Sequence, residues 1–483
     1  MTDSPTRDEE KNVTEKKKKG LSLILTVIFI VAEMSGAGMM AFPLAFTNSG
    51  WLGVGMLIWY CFNAAYTGIL LGRCWIILEE RWPEYKTELG DPYPTIGEKA
   101  VGRWVKGITT ESLCRIPVSI LSHITLLGCG VVFILLISKF LQQMLPNQGI
   151  SFCVWVLILT AILMPVSFLG SPHDFWFMAV AALATTVIAC VIALVVMAQD
   201  YTNIAYQPTV MPALSFKEFF LALSTFSFAF GGSSTFPSFQ NDMKNRNKFQ
   251  KAVVIAYGIL LVMFLSVGVS GFLVYGDRNT SNILETLSSG YLRNIAQFLL
   301  IAHLFTAFQI MINTPCQEYE QMLGVPRVFS PNRLTTDCVS EFTWKRVAVR
   351  TTVMIVIAFV CLSIPEFGKI LNLVGAIAAN TTTFVLPAIF YIYLCSQRTD
   401  PSWPDRYHPS LSPQRHNPFE HTECALANLF LCDRRISIFT KIYLWIIILM
   451  GVFSGIIGTY AAFSDIVDPT AFSKPCYLTG FMG

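Results

Sequence analysis

The sequence predicts an all-α polytopic membrane protein with about eleven transmembrane helices, and three observations lead there. Of its 483 residues 53% are hydrophobic and only 13% charged, with a mean hydropathy of +0.54, outside the range of soluble globular chains. The apolar residues gather into runs of roughly 20, the length a helix needs to cross a bilayer core. The basic residues gather between alternate runs, as in loops kept on the cytosolic side. A net charge of +3 says little about partners, because in such a chain the placement of charge matters more than its sum, and no nucleic-acid signal is present.

Residues 1–20 are a polar tail ending in EKKKKG. The apolar stretch that follows is too long, and too poor in small-residue cleavage features, for a removable signal peptide. The spans then fall, within a few residues, at 21–46, 51–78, 111–144, 151–170, 175–198, 215–239, 250–275, 291–322, 345–364, 367–395 and 436–463. SPHD and PEF are the tight turns of the fourth-to-fifth and ninth-to-tenth hairpins, with Pro172 and Pro365 marking the breaks. Residues 21–198 are read as a first repeat of spans, 215–395 as a second, 396–435 as a Pro-, Ser- and His-rich cytosolic linker, and 466–483 as an outer or luminal tail, so that the transmembrane domain runs over 21–465.

With the N-terminus inside, 26 of the 34 basic residues fall in inner segments, against Lys217, Arg278, Arg293, Lys369 and Lys474 outside. The bias rejects the opposite orientation. The sequon Asn279-Thr280-Ser281 then lies outside, whereas Asn12 lies inside and Asn380 within a span, so Asn279 is the expected glycosylation site. The 13 cysteines form no CxxC pair, and most sit in apolar runs as small hydrophobes. Cys153 and Cys476 are the two to check for an outward-facing disulfide. His408, His416, His421, Cys424 and Cys432 in the linker match no zinc spacing, and no metal or cofactor is expected.

Two spans interrupt themselves. The first breaks at Ser35, Gly36, Ala37 and Gly38, with Pro43 beyond, and the sixth at Gly231, Gly232, Ser233 and Ser234, with Pro237 beyond. An unpaired backbone group in a bilayer costs several kcal/mol, so a span is broken only where protein or a cavity satisfies it. Small residues also serve close helix packing. Two breaks five spans apart, each with a trailing proline, instead match the discontinuous helices of an inverted-repeat transporter, whose freed N–H and C=O groups suit a zwitterion.

SGAGMMAFPLAFTNSGWLGVGM in the first span resembles the first-span signature of the amino acid/auxin permease family, and FGGSSTFPSFQNDMKNRNKFQKAV is similar to its sixth-span signature. GVSGFLVYGD resembles the ending of its seventh span. The resemblance covers residues 20–465. It implies a leucine-transporter-like five-plus-five inverted repeat plus one extra helix, and secondary transport of amino acids coupled to protons or sodium. At Ala32-Glu33-Met34 the chain departs from the family, many members of which carry an Asn there. Leucine-type transporters supply a cation ligand in the eighth span, which points to Asn313 and Thr314 for a sodium-coupled alternative.

Glu33 is a carboxylate at membrane depth, where ionisable groups mark pathways and proton relays. It is read as the proton-coupling residue. The alternatives are a structural pair with Arg115 or His123, or a contact to the substrate ammonium. His123 and His303, both mid-span, are candidate relay members, while Glu318 and Glu320 are expected at the interface. Ser35 to Gly38 and Phe230 to Ser233 are the expected substrate-binding residues. No nucleophile elbow, phosphate loop or metal pair is present, and no enzymatic chemistry is expected. The reading is a proton-coupled amino acid transporter, by symport or exchange, of the plasma membrane or an acidic organelle. Its rivals are a sodium-coupled neutral amino acid carrier, a non-transporting amino acid sensor and an ion channel.

Overall fold

A computed structural model of the chain describes residues 20–82, 85, 92–101, 112–168, 176–203, 214–325, 343–396, 436–468 and 474–479. The linker with its histidines and cysteines, the tail before Gly20, Asn12 and the SPHD turn lie outside them. Among the described residues nine helices are long and apolar enough to cross a membrane. Two shorter apolar helices, Leu23–Met34 and Phe152–Ser167, complete the eleven.

The first span is α1 (Leu23–Met34), α2 (Ala37–Met40) and the start of α3 (Phe42–Arg81). Ser22 caps α1 by accepting from the Leu25 amide, at 3.2 Å. Helix α1 ends at Ser35 and Gly36, the latter at φ −81°, ψ −117°, and the chain re-enters a helix with Pro43 in the first turn, where proline's missing N–H costs nothing. Gly50, at φ +59°, splits α3 and turns the chain into the second span. The loop that follows carries a buried helix not expected from the sequence, α4 (Pro92–Val101), whose Tyr93 hydroxyl donates to the Thr382 carbonyl at 2.6 Å.

The third to fifth spans are α5 (Ser112–Met144), α6 (Phe152–Ser167) and α7 (Trp176–Asn203). The sixth is α8 (Phe216–Ala229), a 3₁₀ turn (Gly231–Thr235) and α9 (Phe236–Asn241), again with a proline at the restart. After α10 (Phe249–Tyr275), a short loop helix α11 (Ile283–Thr286) precedes α12 (Tyr291–Met322), the eighth span, and α13 (Trp344–Ser363), the ninth. The tenth begins as α14 (Phe367–Val374), widens through π-helical turns at Gly375–Ala379 and Thr381–Val385, and ends as α15 (Leu386–Ser396). The eleventh, α16 (Ile438–Val467), packs on the sixth and tenth. The last described turn, α17 (Cys476–Thr479), is joined to the start of α6 by a Cys153–Cys476 disulfide.

The broken spans sit at the centre, and they touch. A Cβ on Gly38 would lie 2.8 Å from the Ala229 backbone, so only glycine lets the two breaks meet there. Around them the core is continuous and contains an aromatic cluster: Phe42 and Phe46 from the first span pack on Phe226 of the sixth, and Phe42 also on Phe264 of the seventh.

Candidate functional site

Where α1 and α8 end, a cavity opens between the two breaks. Glu33, Gly36, Gly38, Gly231 and Gly232 line it, with Ala37 and Met34 beside them. Thr125, Cys129 and Phe133 of the third span form the facing wall, and Phe228 and Met311 close it. These five side chains were not anticipated. Residues 125, 129 and 133 are spaced by four, one face of a helix, and that periodicity is the signal that could have found them. The lining holds the Glu33 carboxylate and no cationic side chain.

Glu33 reaches across the cavity floor to the other break. Both of its carboxylate oxygens accept from the Thr235 hydroxyl, at 2.9 and 2.7 Å. Thr235 also lies 2.8 Å from the Gly232 carbonyl. A Cβ on Gly232 would meet Met34 at 3.0 Å and the Glu33 carboxyl carbon at 3.5 Å. The carboxylate thus links the two interrupted helices through one hydroxyl. No ion pair to Glu33 occurs among the described residues: Arg115 faces Glu98 at 3.7 Å, and His123 is engaged elsewhere. The structural pair weighed from the sequence is not formed.

His303 is buried against Gly36 of the first break. Its Nδ1 lies 3.0 Å from the Ala182 carbonyl and 2.7 Å from the Thr186 hydroxyl. A carbonyl only accepts, so the neutral ring carries its proton on Nδ1 and leaves Nε2 as a bare lone pair. That Nε2 is buried without a hydrogen-bond partner and would sit 2.7 Å from a Cβ on Gly36. Ser35 beside it is also buried with its hydroxyl unpartnered.

Other expected residues lie elsewhere. Phe230 does not bound the cavity: its ring is fully buried against Tyr257 (5.8 Å, stacked) and Phe264 (5.5 Å). Ser233 turns to the tenth span, donating to the Thr382 carbonyl and contacting the Thr383 hydroxyl, both at 3.1 Å. His123 does not line the cavity. Its Nε2 lies 2.7 Å from Glu318, whose second oxygen accepts from Ser119 at 2.5 Å. Glu318 and Glu320, expected at the interface, are buried inside the protein. Glu320 accepts from Arg350 at 2.5 Å and Arg346 at 3.2 Å, since partnered charge can be buried where isolated charge cannot.

Arg350 also bonds the Ser167 carbonyl and donates to Asn313 Oδ1 at 3.0 Å. The oxygen that a sodium ion would use therefore already holds a guanidinium, which opposes the cation role expected of Asn313. Thr314 beside it is half-buried and is not part of the cavity lining. Asn279 is buried, and its amide nitrogen, the atom a glycan would take, donates to Thr47, Gly271 and Gly276 at 3.0–3.1 Å. This arrangement opposes glycosylation there. The Asn380 amide nitrogen likewise donates to the Gly451 carbonyl at 2.6 Å.

A family model described as "Transmembrane amino acid transporter protein" matches residues 19–409. The chain is 22% identical over 444 residues to amino acid transporter AVT1C of Arabidopsis thaliana, covering 90% of this chain and 68% of that protein. It is 23% identical over 470 residues to AVT1I of the same plant, covering 95% and 99%. Among solved structures it superposes on MhsT in complex with L-phenylalanine (TM-score 0.51, 11% identity, 92% of this chain and 99% of that one). It also superposes on Mhp1, a nucleobase-cation-symport-1 family transporter (TM-score 0.51, 12% identity, 92% and 91%), and on a manganese transporter of Eremococcus coleocola (TM-score 0.52, 11% identity, 100% and 94%). At such identities the likeness is one of fold, the leucine-transporter-like arrangement.

Proposed function

We propose that this chain, which belongs to the transmembrane amino acid transporter protein family, moves an amino acid by alternating access and couples the movement to protons through Glu33. The family is one of transporters rather than enzymes, and the chain is a multi-pass membrane protein. The observation that carries the coupling is the Glu33–Thr235 contact: a carboxylate at the junction of both broken helices, bonded to a hydroxyl and with no basic partner among the described residues. A charge so placed is costly. It has to be met by something that arrives, and a proton is the smallest such partner and needs no coordination shell.

In this reading the substrate carboxylate faces the backbone amides freed around Gly36 to Gly38, and its ammonium faces the carbonyls freed at the breaks and Glu33. Its side chain lies against Phe133, Phe228 and Met311. Those walls offer no cation to an acidic side chain, which favours a neutral amino acid. Protonation of Glu33 from the proton-rich side removes its charge before the cavity closes, and opening to the other side lets water receive the proton. The Arg350–Asn313 contact weighs against the sodium-coupled alternative.

The orientation follows the basic residues, with the N-terminus cytosolic. The Cys153–Cys476 bond supports it, because disulfides persist in oxidising compartments and both cysteines are then outer or luminal. The decisive experiment is uptake of labelled amino acids into proteoliposomes under an imposed proton gradient without sodium, for wild type and Glu33→Gln. Gradient-driven uptake in wild type and its loss in the variant are expected. Uptake that needs sodium, or a variant that still concentrates substrate against the gradient, would sink the assignment.

A further inference from the structure

The tenth span carries a carbonyl that its own helix cannot use. In the π-helical turn Thr381–Val385 the Leu386 amide donates to the Thr381 carbonyl, five residues back. In that register the next carbonyl, on Thr382, would take the amide of residue 387, and that residue is Pro387, which has none. Two hydroxyls fill the gap: Tyr93 of α4 donates at 2.6 Å, and Ser233 of the sixth-span break at 3.1 Å. A carbonyl oxygen has two lone pairs, so both are taken.

This one oxygen ties a loop helix to the cavity between the breaks. Ser233 belongs to the same 3₁₀ turn as Gly231 and Gly232, which line the cavity, and as Thr235, which holds Glu33. Helix α4 packs on α3, α5, α9 and α15, so it fills space between spans at the end where the sixth span exits. Tyr93, Ile96 and Ala100 form its buried face, with the Tyr93 ring edge-on to Phe390 at 5.8 Å. A Cβ on Gly97 would lie 2.9 Å from Val118 and 3.1 Å from Phe390, and its absence lets α4 seat this deeply. Glu98 faces Arg115 of the third span at 3.7 Å. The start of the first span and the end of the second lie at this same end, because Leu21 bonds the Asp242 carbonyl and Arg246 bonds Glu79.

We propose that α4 is a latch: it closes the cavity on this side, and the Thr382 carbonyl holds it in place until Tyr93 lets go. Once the Tyr93 hydroxyl leaves, the carbonyl keeps Ser233 alone, α4 withdraws from between the spans, and water reaches the cavity from this end. The latch rests on the alternating-access reading. Its test needs neither substrate nor gradient, so it can fail while uptake persists.

Cys129, on the cavity wall, is the native reporter. Sealed vesicles that expose this end of the protein are treated with a membrane-impermeant maleimide, and alkylation is read at Cys129 by peptide mass spectrometry. Tyr93→Phe keeps the ring and loses the hydroxyl. It is expected to speed Cys129 labelling about threefold to tenfold, the size of one hydrogen bond, with no gain from the opposite side. Pro387→Ala offers Thr382 an amide from its own helix and should speed labelling likewise, and the double variant should add little to either. Cys316 and Cys361, fully buried away from the cavity lining, should stay unlabelled throughout. An unchanged Cys129 rate in Tyr93→Phe, a gain from the opposite side, or additive effects of the two substitutions would overturn the latch. So would labelling of Cys316 and Cys361, which would mean that the whole fold had loosened.

Discussion

At Gly36 a single hydrogen atom separates the first-span break from the lone pair of His303. Adding a methyl there forces the imidazole away from Ala182 and Thr186 or pushes the break toward the cavity. Overpacking of this kind costs about 1–3 kcal/mol. Gly36→Ala is expected to lower the rate of amino acid uptake roughly tenfold with normal expression, an energy of that size. His303→Ala in the same background removes the obstructing ring and should recover most of it, and a double-mutant cycle on uptake reads the coupling directly. Additive effects would mean that the two residues do not press on each other. Glu33 poses the opposite case, because what sets it apart there is a charge: Glu33→Gln keeps the shape and an acceptor for the Thr235 hydroxyl while removing the carboxylate.

The elements were unequally legible in the sequence. Span positions and both breaks follow from hydrophobic run length, glycine and proline, which act locally, and all eleven runs are helical in the structure. What periodicity does not set is the rotation of each helix and the partner it meets. Phe230 sits next to the break yet points at Tyr257, while Phe228, two residues earlier, lines the cavity. Glu318 and Glu320 read as interfacial because their partners, His123 and the Arg346–Arg350 pair, lie on other spans. The π-helical turns of the tenth span carry no composition signal. Their Thr382 carbonyl serves both Tyr93 and Ser233, a tertiary arrangement. The Glu320 cluster joins the fourth, eighth and ninth spans through Ser167, Asn313 and Arg350. Removing one member of such a buried set costs about 3–5 kcal/mol. Glu320→Gln is therefore expected to lower the unfolding midpoint of the purified protein far more than Asn313→Ala, with added sodium changing neither. A midpoint close to wild type would show that the carboxylate does not hold these spans together.

Across the whole molecule, one covalent link spans 323 residues of sequence, from Cys153 at the start of the fourth span to Cys476 beyond the eleventh. The tail docks further through Tyr477, which stacks on Phe359 of the ninth span. The eleventh span, packed on the sixth and tenth, is thereby strapped to the fourth and ninth. In a soluble chain, closing so long a loop would stabilise the fold by about 5 kcal/mol at most. Here the spans of the unfolded chain stay threaded in the bilayer, which already restricts the ends, so the gain is smaller. Cys153→Ser with Cys476→Ser is expected to leave transport largely intact, to lower the unfolding midpoint modestly, and to expose the tail to protease added on the outer side. In wild type, a membrane-impermeant maleimide on that side should label the pair only after reduction. Labelling without reductant would show the bond absent in the membrane, and labelling confined to the opposite side would invert the orientation that the basic residues indicate.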